Sequence, residues 1–247
     1  MTSYHDLIER KRVAFHPRGF DGSFDLHPDL FPHQRAVTEF SLRAGCSAMF
    51  LDTGLGKSFA SLEWGRVVME RIGKPVLMLA PLAVGPQHER ETRRFGIDAR
   101  YVRTGDEIDG TRIYITNYER LDNFVVSKFG GIILDESSIL KSFSGVTTKK
   151  LISTFASMPY RLACTATPAP NDYTELGTHS EFLGVMRRDA QALQQAALQG
   201  PIHVEGGQGP AAFVDDALAP VSGEHHKAGG VGGFHVVSTP RSVANAA

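Results

Sequence analysis

The chain has 247 residues, 42% of them hydrophobic, with 26 Lys plus Arg against 27 Asp plus Glu and a formal net charge of −1. This is enough for a substantial core in one large domain or two small ones, and the near-zero charge excludes nucleic-acid binding through bulk positive charge, so any such binding must be local. No apolar run approaches the ~20 residues of a membrane span, the start Met1–Asp6 lacks a signal-peptide apolar region, and Cys46 and Cys164, the two cysteines, read as reduced, buried thiols of a cytoplasmic protein.

Residues 1–30 read as an N-terminal extension, with a helical start bearing Arg10-Lys11-Arg12 and then a loop rich in Gly, Pro and His. A helix is expected over His33–Ala44. The apolar run Ser47-Ala48-Met49-Phe50-Leu51 then suits a buried strand, and from Ser58 to Ile72 apolar residues recur at helical spacing. Further strand-like runs fall near 76–80, 112–115, 131–134 and 161–165, alternating with helical stretches. Repeated β-α units of this kind give an α/β fold, a parallel sheet with helices on both faces. Arg90, Arg93, Arg94, Arg100 and Arg103 gather on the helix after Pro81 and the strand that follows, where they could form a phosphate-neutralising patch or an ordinary solvated face. Pro168-Ala169-Pro170-Asn171 breaks the chain after the last strand, and Asn171 is placed to cap a helix running to about Leu183. Beyond residue 186 the character changes: Gly206-Gly207-Gln208-Gly209-Pro210 and Lys227-Ala228-Gly229-Gly230-Val231-Gly232-Gly233 bury little apolar area, so 187–247 is expected to be largely disordered. The ten histidines show no metal-ligand spacing.

Two segments carry chemistry. Asp52-Thr53-Gly54-Leu55-Gly56-Lys57-Ser58 lies between a strand and a helix, where Gly54 and Gly56 permit backbone shapes that turn several N–H groups toward one anion, aided by the helix N-terminus. Thr53, Gly54, Leu55 and Gly56 would cradle the phosphates, Lys57 would reach the β/γ-phosphates, and Ser58 would ligate Mg²⁺. The strict P-loop pattern wants glycine where Leu51 stands, and a bare Gly-Lys-Ser also serves as a helix-capping turn. The second segment, Gly130-Gly131-Ile132-Ile133-Leu134-Asp135-Glu136, reads as a central parallel strand delivering two carboxylates at its C-terminal edge. Asp135 would hold Mg²⁺ and Glu136 would orient or deprotonate the attacking water; an acidic N-cap is the plainer use of the same residues. Together the two segments point to ATP and Mg²⁺.

Read in order, Phe31-Pro32-His33-Gln34, the Lys57 loop, Leu79-Ala80-Pro81-Leu82, Ile115-Thr116-Asn117-Tyr118-Glu119, Asp135-Glu136-Ser137-Ser138 and Thr165-Ala166-Thr167-Pro168 resemble the first-lobe motifs of superfamily 2 helicases. The flavour is that of the Swi/Snf-like DEAD/DEAH-box group, including forms carried by phages and prophages. The resemblance implies a RecA-like P-loop NTPase lobe over residues 31–186, acting as the ATP-binding lobe of a DNA-dependent helicase or translocase. It further implies that Gln34 reads adenine, that Pro81, Leu82, Thr116 and Asn117 lie on the nucleic-acid track, that Thr165 and Thr167 couple hydrolysis to movement, and that Lys141 is the lysine often found after the acidic box. DNA is the expected partner ahead of RNA.

Two departures stand out: His88 occupies a position where Swi/Snf-like chains usually carry tryptophan, and the acidic box ends in Ser137-Ser138 with short side chains. No Gln-x-x-Gly-Arg-x-x-Arg run follows, so a second RecA-like lobe is expected to come in trans, and the chain alone, as a truncated or half helicase, is expected to bind nucleotide better than it hydrolyses it. A nucleotide-dependent binding or regulatory module without turnover is the alternative.

Overall fold

In the strands of this protein, successive apolar side chains serve two different cores. Met49, Val76, Met78, Ala80, Ile113, Ile115, Ile133, Leu162 and Cys164 belong to one buried cluster, while their strand neighbours Ala48, Phe50, Leu77, Leu79, Tyr114, Ile132, Leu134 and Ala163 belong to another. A strand whose two faces are both apolar is stable only between two layers of helix, so the near-continuous hydrophobic runs dictate a covered parallel sheet. The computed structural model describes residues 17–141, 145–168, 175–184 and 235–238.

In chain order the elements are α1 (Pro32–Ala44), β1 (Cys46–Phe50), α2 (Lys57–Ile72), β2 (Val76–Ala80), α3 (Gly85–Arg94), β3 (Ala99–Tyr101), β4 (Ile113–Asn117), β5 (Gly131–Asp135), α4 (Val146–Phe155), β6 (Tyr160–Thr165), α5 (Glu175–Leu183) and β7 (His235–Ser238), with short 3₁₀ turns between several of them. The sheet order is β3-β4-β2-β5-β6-β1-β7. The first six strands in that order run parallel, so their C-terminal ends share one edge of the sheet. The registers Asp135↔Cys164 and Phe50↔Thr165 set the ends of β5, β6 and β1 side by side.

The strands and the helices α1 and α2 stand where the sequence places them. β7 falls in the tail expected to be largely disordered, and its four residues pair antiparallel with β1 from Ser47↔Ser238 to Phe50↔His235. The open edge of β1 supplies the hydrogen-bonding partner, which tail composition does not reveal. The rest of 187–247, the Arg10-Lys11-Arg12 run and the Asn171 cap lie outside the described residues.

The central helix α2 is buried on nearly all sides, Trp64 completely. One face lies on the sheet; residues 17–31 run over another without helix or strand. Three charges secure that segment. Glu63, fully buried, accepts a bond from the His27 amide at 2.8 Å and pairs with Arg66 at 2.7 Å, and Arg66 also donates to the Asp25 carbonyl at 2.7 Å. Arg71 donates to the Ser23 carbonyl and packs over Phe20 and Phe24. Because a buried carboxylate is tolerated only when paired and hydrogen-bonded, the strap and the helix require each other. On the opposite face, Arg161 of β6 is buried and donates to the Phe182 and Leu183 carbonyls at 2.7 and 3.2 Å, closing the C-terminal end of α5.

Candidate nucleotide-binding site

Three strand ends build the site. β1 ends at Phe50, and Leu51 after it is fully buried in the core. Glu136 is the one non-glycine residue with positive φ among those described, so the backbone at Leu51 does not call for the glycine of the strict pattern. The turn then closes through the Leu55 amide on the Asp52 carbonyl at 3.3 Å, while the Thr53 amide donates to Asp52 Oδ1 at 2.7 Å. Gly54 and Gly56 take φ of 85° and 72°, which an L side chain rarely adopts, and Lys57 and Ser58 open α2 directly behind them. A left-handed glycine turn that leads straight into a helix N-terminus is a recurrent anion-binding backbone.

Gln34 of α1 rests on this loop. Its Nε2 donates to the Leu55 and Gly56 carbonyls at 3.1 and 3.4 Å, and its Oε1 accepts from the Phe31 amide at 3.0 Å. The fit is close: a Cβ on Gly56 would lie 2.0 Å from Gln34 Nε2. His33 Nε2 also meets the Leu55 carbonyl, at 3.1 Å.

At the end of β5, Asp135 is held by two groups. The Tyr118 hydroxyl donates to its carbonyl and His88 Nε2 meets its carboxylate Oδ2, each at 2.7 Å. Burial acts to lower the His88 pKa, but the hydrogen bond and charge of Asp135, with a smaller part from Glu91, outweigh it and leave the imidazole above its ordinary range. Glu136 follows with φ 51°, a left-handed conformation costly for any residue with a Cβ, and its Oε1 accepts from the Thr165 hydroxyl at 2.7 Å. Thr165 Oγ1 in turn accepts the Thr167 amide at 3.1 Å, linking the loop after β6 to the acidic box. Cys164 reports how closely these charges gather: burial raises its thiol pKa first, Asp135 raises it further, Lys57 opposes, and Glu136 adds to the rise.

The structure therefore brings Gln34, the Thr53–Ser58 loop, Asp135, Glu136, Thr165 and Thr167 to one sheet edge. The donor set for a metal, the Ser58 hydroxyl and the Asp135 carboxylate, is hard oxygen, which suits Mg²⁺, an ion held by one or two protein oxygens with waters and phosphates completing its shell. Among the described residues no group of three or more His, Cys, Asp or Glu forms a metal cage.

The nucleic-acid candidates are placed differently from one another. Leu82 is 64% exposed and Pro81 partly so, at the end of β2. Thr116 and Asn117 are fully buried at the end of β4, where Asn117 Oδ1 accepts the Tyr101 hydroxyl at 2.5 Å and Thr116 Oγ1 and Asn117 Nδ2 find no hydrogen-bond partner. Arg90, Arg93, Arg94 and Arg103 are exposed, and Arg100 pairs with Asp109 at 2.9 Å. Lys141 ends the 3₁₀ turn Ser137–Lys141. Two site histidines were not legible as such in the sequence: His88, and His179 of α5, whose Nε2 lies 3.1 Å from the Ser137 hydroxyl and gives that short side chain of the acidic box a buried partner.

The fold is a RecA-like lobe, a parallel sheet covered by helices, of the kind seen in solved helicase and ATPase cores. The chain is similar to the Sulfolobus solfataricus SWI2/SNF2 ATPase core in complex with dsDNA, at 20% identity and TM-score 0.52 over 66% of this chain and 37% of that one. It is similar too to the UvsW helicase from bacteriophage T4, at 13% identity and TM-score 0.51 over 73% of this chain and 65% of that one, and to the Pyrococcus furiosus Hef helicase domain, at 17% and 0.52 over 69% and 41%. The match thus spans between about a third and two thirds of each of these proteins. No protein-family model and no curated protein sequence matches the chain.

Proposed function

We propose that this chain is the ATP-binding lobe of a DNA-dependent helicase or translocase of the Swi/Snf-like type, working in the cytoplasm. The observation that carries the reading is the convergence, on one sheet edge, of the Gly54–Ser58 loop, the Asp135-Glu136 pair and a threonine bonded to Glu136. A P-loop alone or a carboxylate pair alone has simpler uses; the two together with a hydroxyl from the strand between them do not.

Each residue then has a task. The loop amides and Lys57 grip the triphosphate, and Gln34, whose amide here bonds the Leu55 and Gly56 carbonyls and the Phe31 amide, turns from the loop to the adenine edge when nucleotide binds. Ser58 and Asp135 would hold Mg²⁺, which when bound neutralises charge on the phosphates. Glu136 orients the attacking water and accepts its proton, and the Thr165 hydroxyl keeps that carboxylate aimed while the Thr167 amide passes its position on to the following loop. Pro81 and the exposed Leu82 mark the nucleic-acid side, with Thr116 and Asn117 buried at the neighbouring strand end behind them, and DNA is favoured by the neighbour solved with dsDNA.

An arginine finger contributes on the order of 10³–10⁵ in rate to phosphoryl transfer, and a second RecA-like lobe acting in trans would supply it here. The test is nucleotide binding beside ATP turnover, with and without single- and double-stranded DNA, for wild type, Lys57→Ala and Glu136→Gln. DNA-stimulated turnover abolished by both substitutions is the expected result. Binding that depends on Lys57 without turnover, even when a second lobe is added, would make the chain a nucleotide-gated regulatory module, and binding indifferent to Lys57 would refute the nucleotide site.

A further inference from the structure

His88 reaches from α3 to the end of β5, 47 residues further along the chain, and sets Nε2 2.7 Å from Oδ2 of Asp135. Both residues are buried, at 4% and 7% exposure, so the contact is shielded from water and strong for its length. It engages one of the two carboxylate oxygens. The other ring nitrogen, Nδ1, is buried with no hydrogen bond, its nearest carboxylate oxygen being Glu91 Oε2 at 3.7 Å. The imidazole therefore has one close polar partner, the Asp135 carboxylate. Since the Tyr118 hydroxyl fixes the backbone carbonyl of Asp135, backbone and side chain are secured by different elements. A carboxylate free to rotate loses much of its value as a metal ligand, and the groups that bond to ligands govern affinity nearly as strongly as the ligands do.

We propose that His88 is a positioning residue for the metal-holding carboxylate, tying the aim of Asp135 to the seat of helix α3. The proposal rests on the reading of Asp135 as a Mg²⁺ ligand given above. α3 begins three residues after the exposed Leu82, so the helix that seats His88 follows directly on the end of β2.

The experiment is binding of a fluorescent ATP analogue to the full chain, titrated with Mg²⁺ and repeated in EDTA, for wild type, His88→Ala, His88→Asn and Lys57→Ala. Both His88 variants are expected to raise the Mg²⁺ concentration at half-maximal effect about 10-fold while leaving binding in EDTA at the wild-type level. Lys57→Ala is expected to lose binding in both conditions. An unchanged Mg²⁺ midpoint in the His88 variants, with Lys57→Ala defective, overturns the positioning role and spares the site; so does an equal loss in Mg²⁺ and EDTA, the mark of a merely structural histidine. Wild-type binding by Lys57→Ala overturns both readings. If His88→Ala does not fold, His88→Asn, closer in size and polarity, decides by the same midpoint.

Discussion

Replacing Gly56 by alanine tests the loop most directly, because two separate penalties meet there. The residue has φ 72°, a region that costs an L residue about 1–2 kcal/mol. In addition, the new methyl would lie 2.0 Å from Gln34 Nε2, so that side chain must withdraw from the Leu55 and Gly56 carbonyls. Each of those two bonds is worth about 0.5–1.5 kcal/mol, which brings the loss to about 3 kcal/mol. For a lobe of this size that lowers the thermal midpoint by roughly 6–12 °C. Gly54→Ala provides the control, since its φ is 85° but nothing lies within 4 Å of an added Cβ; it should lose only the strain. In a Gln34→Ala background the penalty of Gly56→Ala should fall to the Gly54→Ala value. Thermal unfolding of the four proteins closes the cycle, and a Gly56→Ala penalty that is the same in both backgrounds, within about 0.5 kcal/mol, would refute the packing of Gln34 on the loop.

Thr165→Val keeps the shape of β6 but removes the hydroxyl that holds Glu136; single-turnover ATP hydrolysis should fall about 10- to 100-fold with nucleotide affinity unchanged. Glu136→Gly and Glu136→Ala both remove the carboxylate, but only glycine accepts φ 51° freely, so urea unfolding should find the glycine variant more stable by about 1 kcal/mol. Arg161→Met strips the Phe182 and Leu183 carbonyls of their donor at about 1–3 kcal/mol each, partly offset by removing a buried charge, and the urea midpoint should register a net loss of about 2–4 kcal/mol.

Much of the lobe could be read from the chain because its strands are apolar on both faces and its punctuation is glycine at the loop and carboxylates at the strand end. Ile132 and Ile133 read as a central strand and Lys57 as following a glycine turn, and the structure has both. What escaped was whatever depends on contacts across sequence. The His88–Asp135 and Ser137–His179 pairs join residues 47 and 42 positions apart, and no local pattern distinguishes a histidine that will meet a carboxylate from one that will not. The left-handed backbone of Glu136 has no residue signature, since glutamate disfavours it. Thr116 and Asn117 match a surface motif, yet Tyr101 on the neighbouring strand β3 bonds to Asn117 from the side and both become interior.

The sheet order also dictates when the site can exist during synthesis. β1, which leads into the Lys57 loop, pairs with β6, whose residues lie 115 positions later, and β6 is also what stands between β1 and β5. The phosphate loop is therefore translated long before, and the acidic pair shortly before, the strand that sets them side by side, and a pairing of such long sequence separation as β1 with β6 forms slowly. A nascent chain that has not yet released Thr165 from the ribosome has both halves of the proposed site apart, so nucleotide binding by the proposed site would require β6 to be in place.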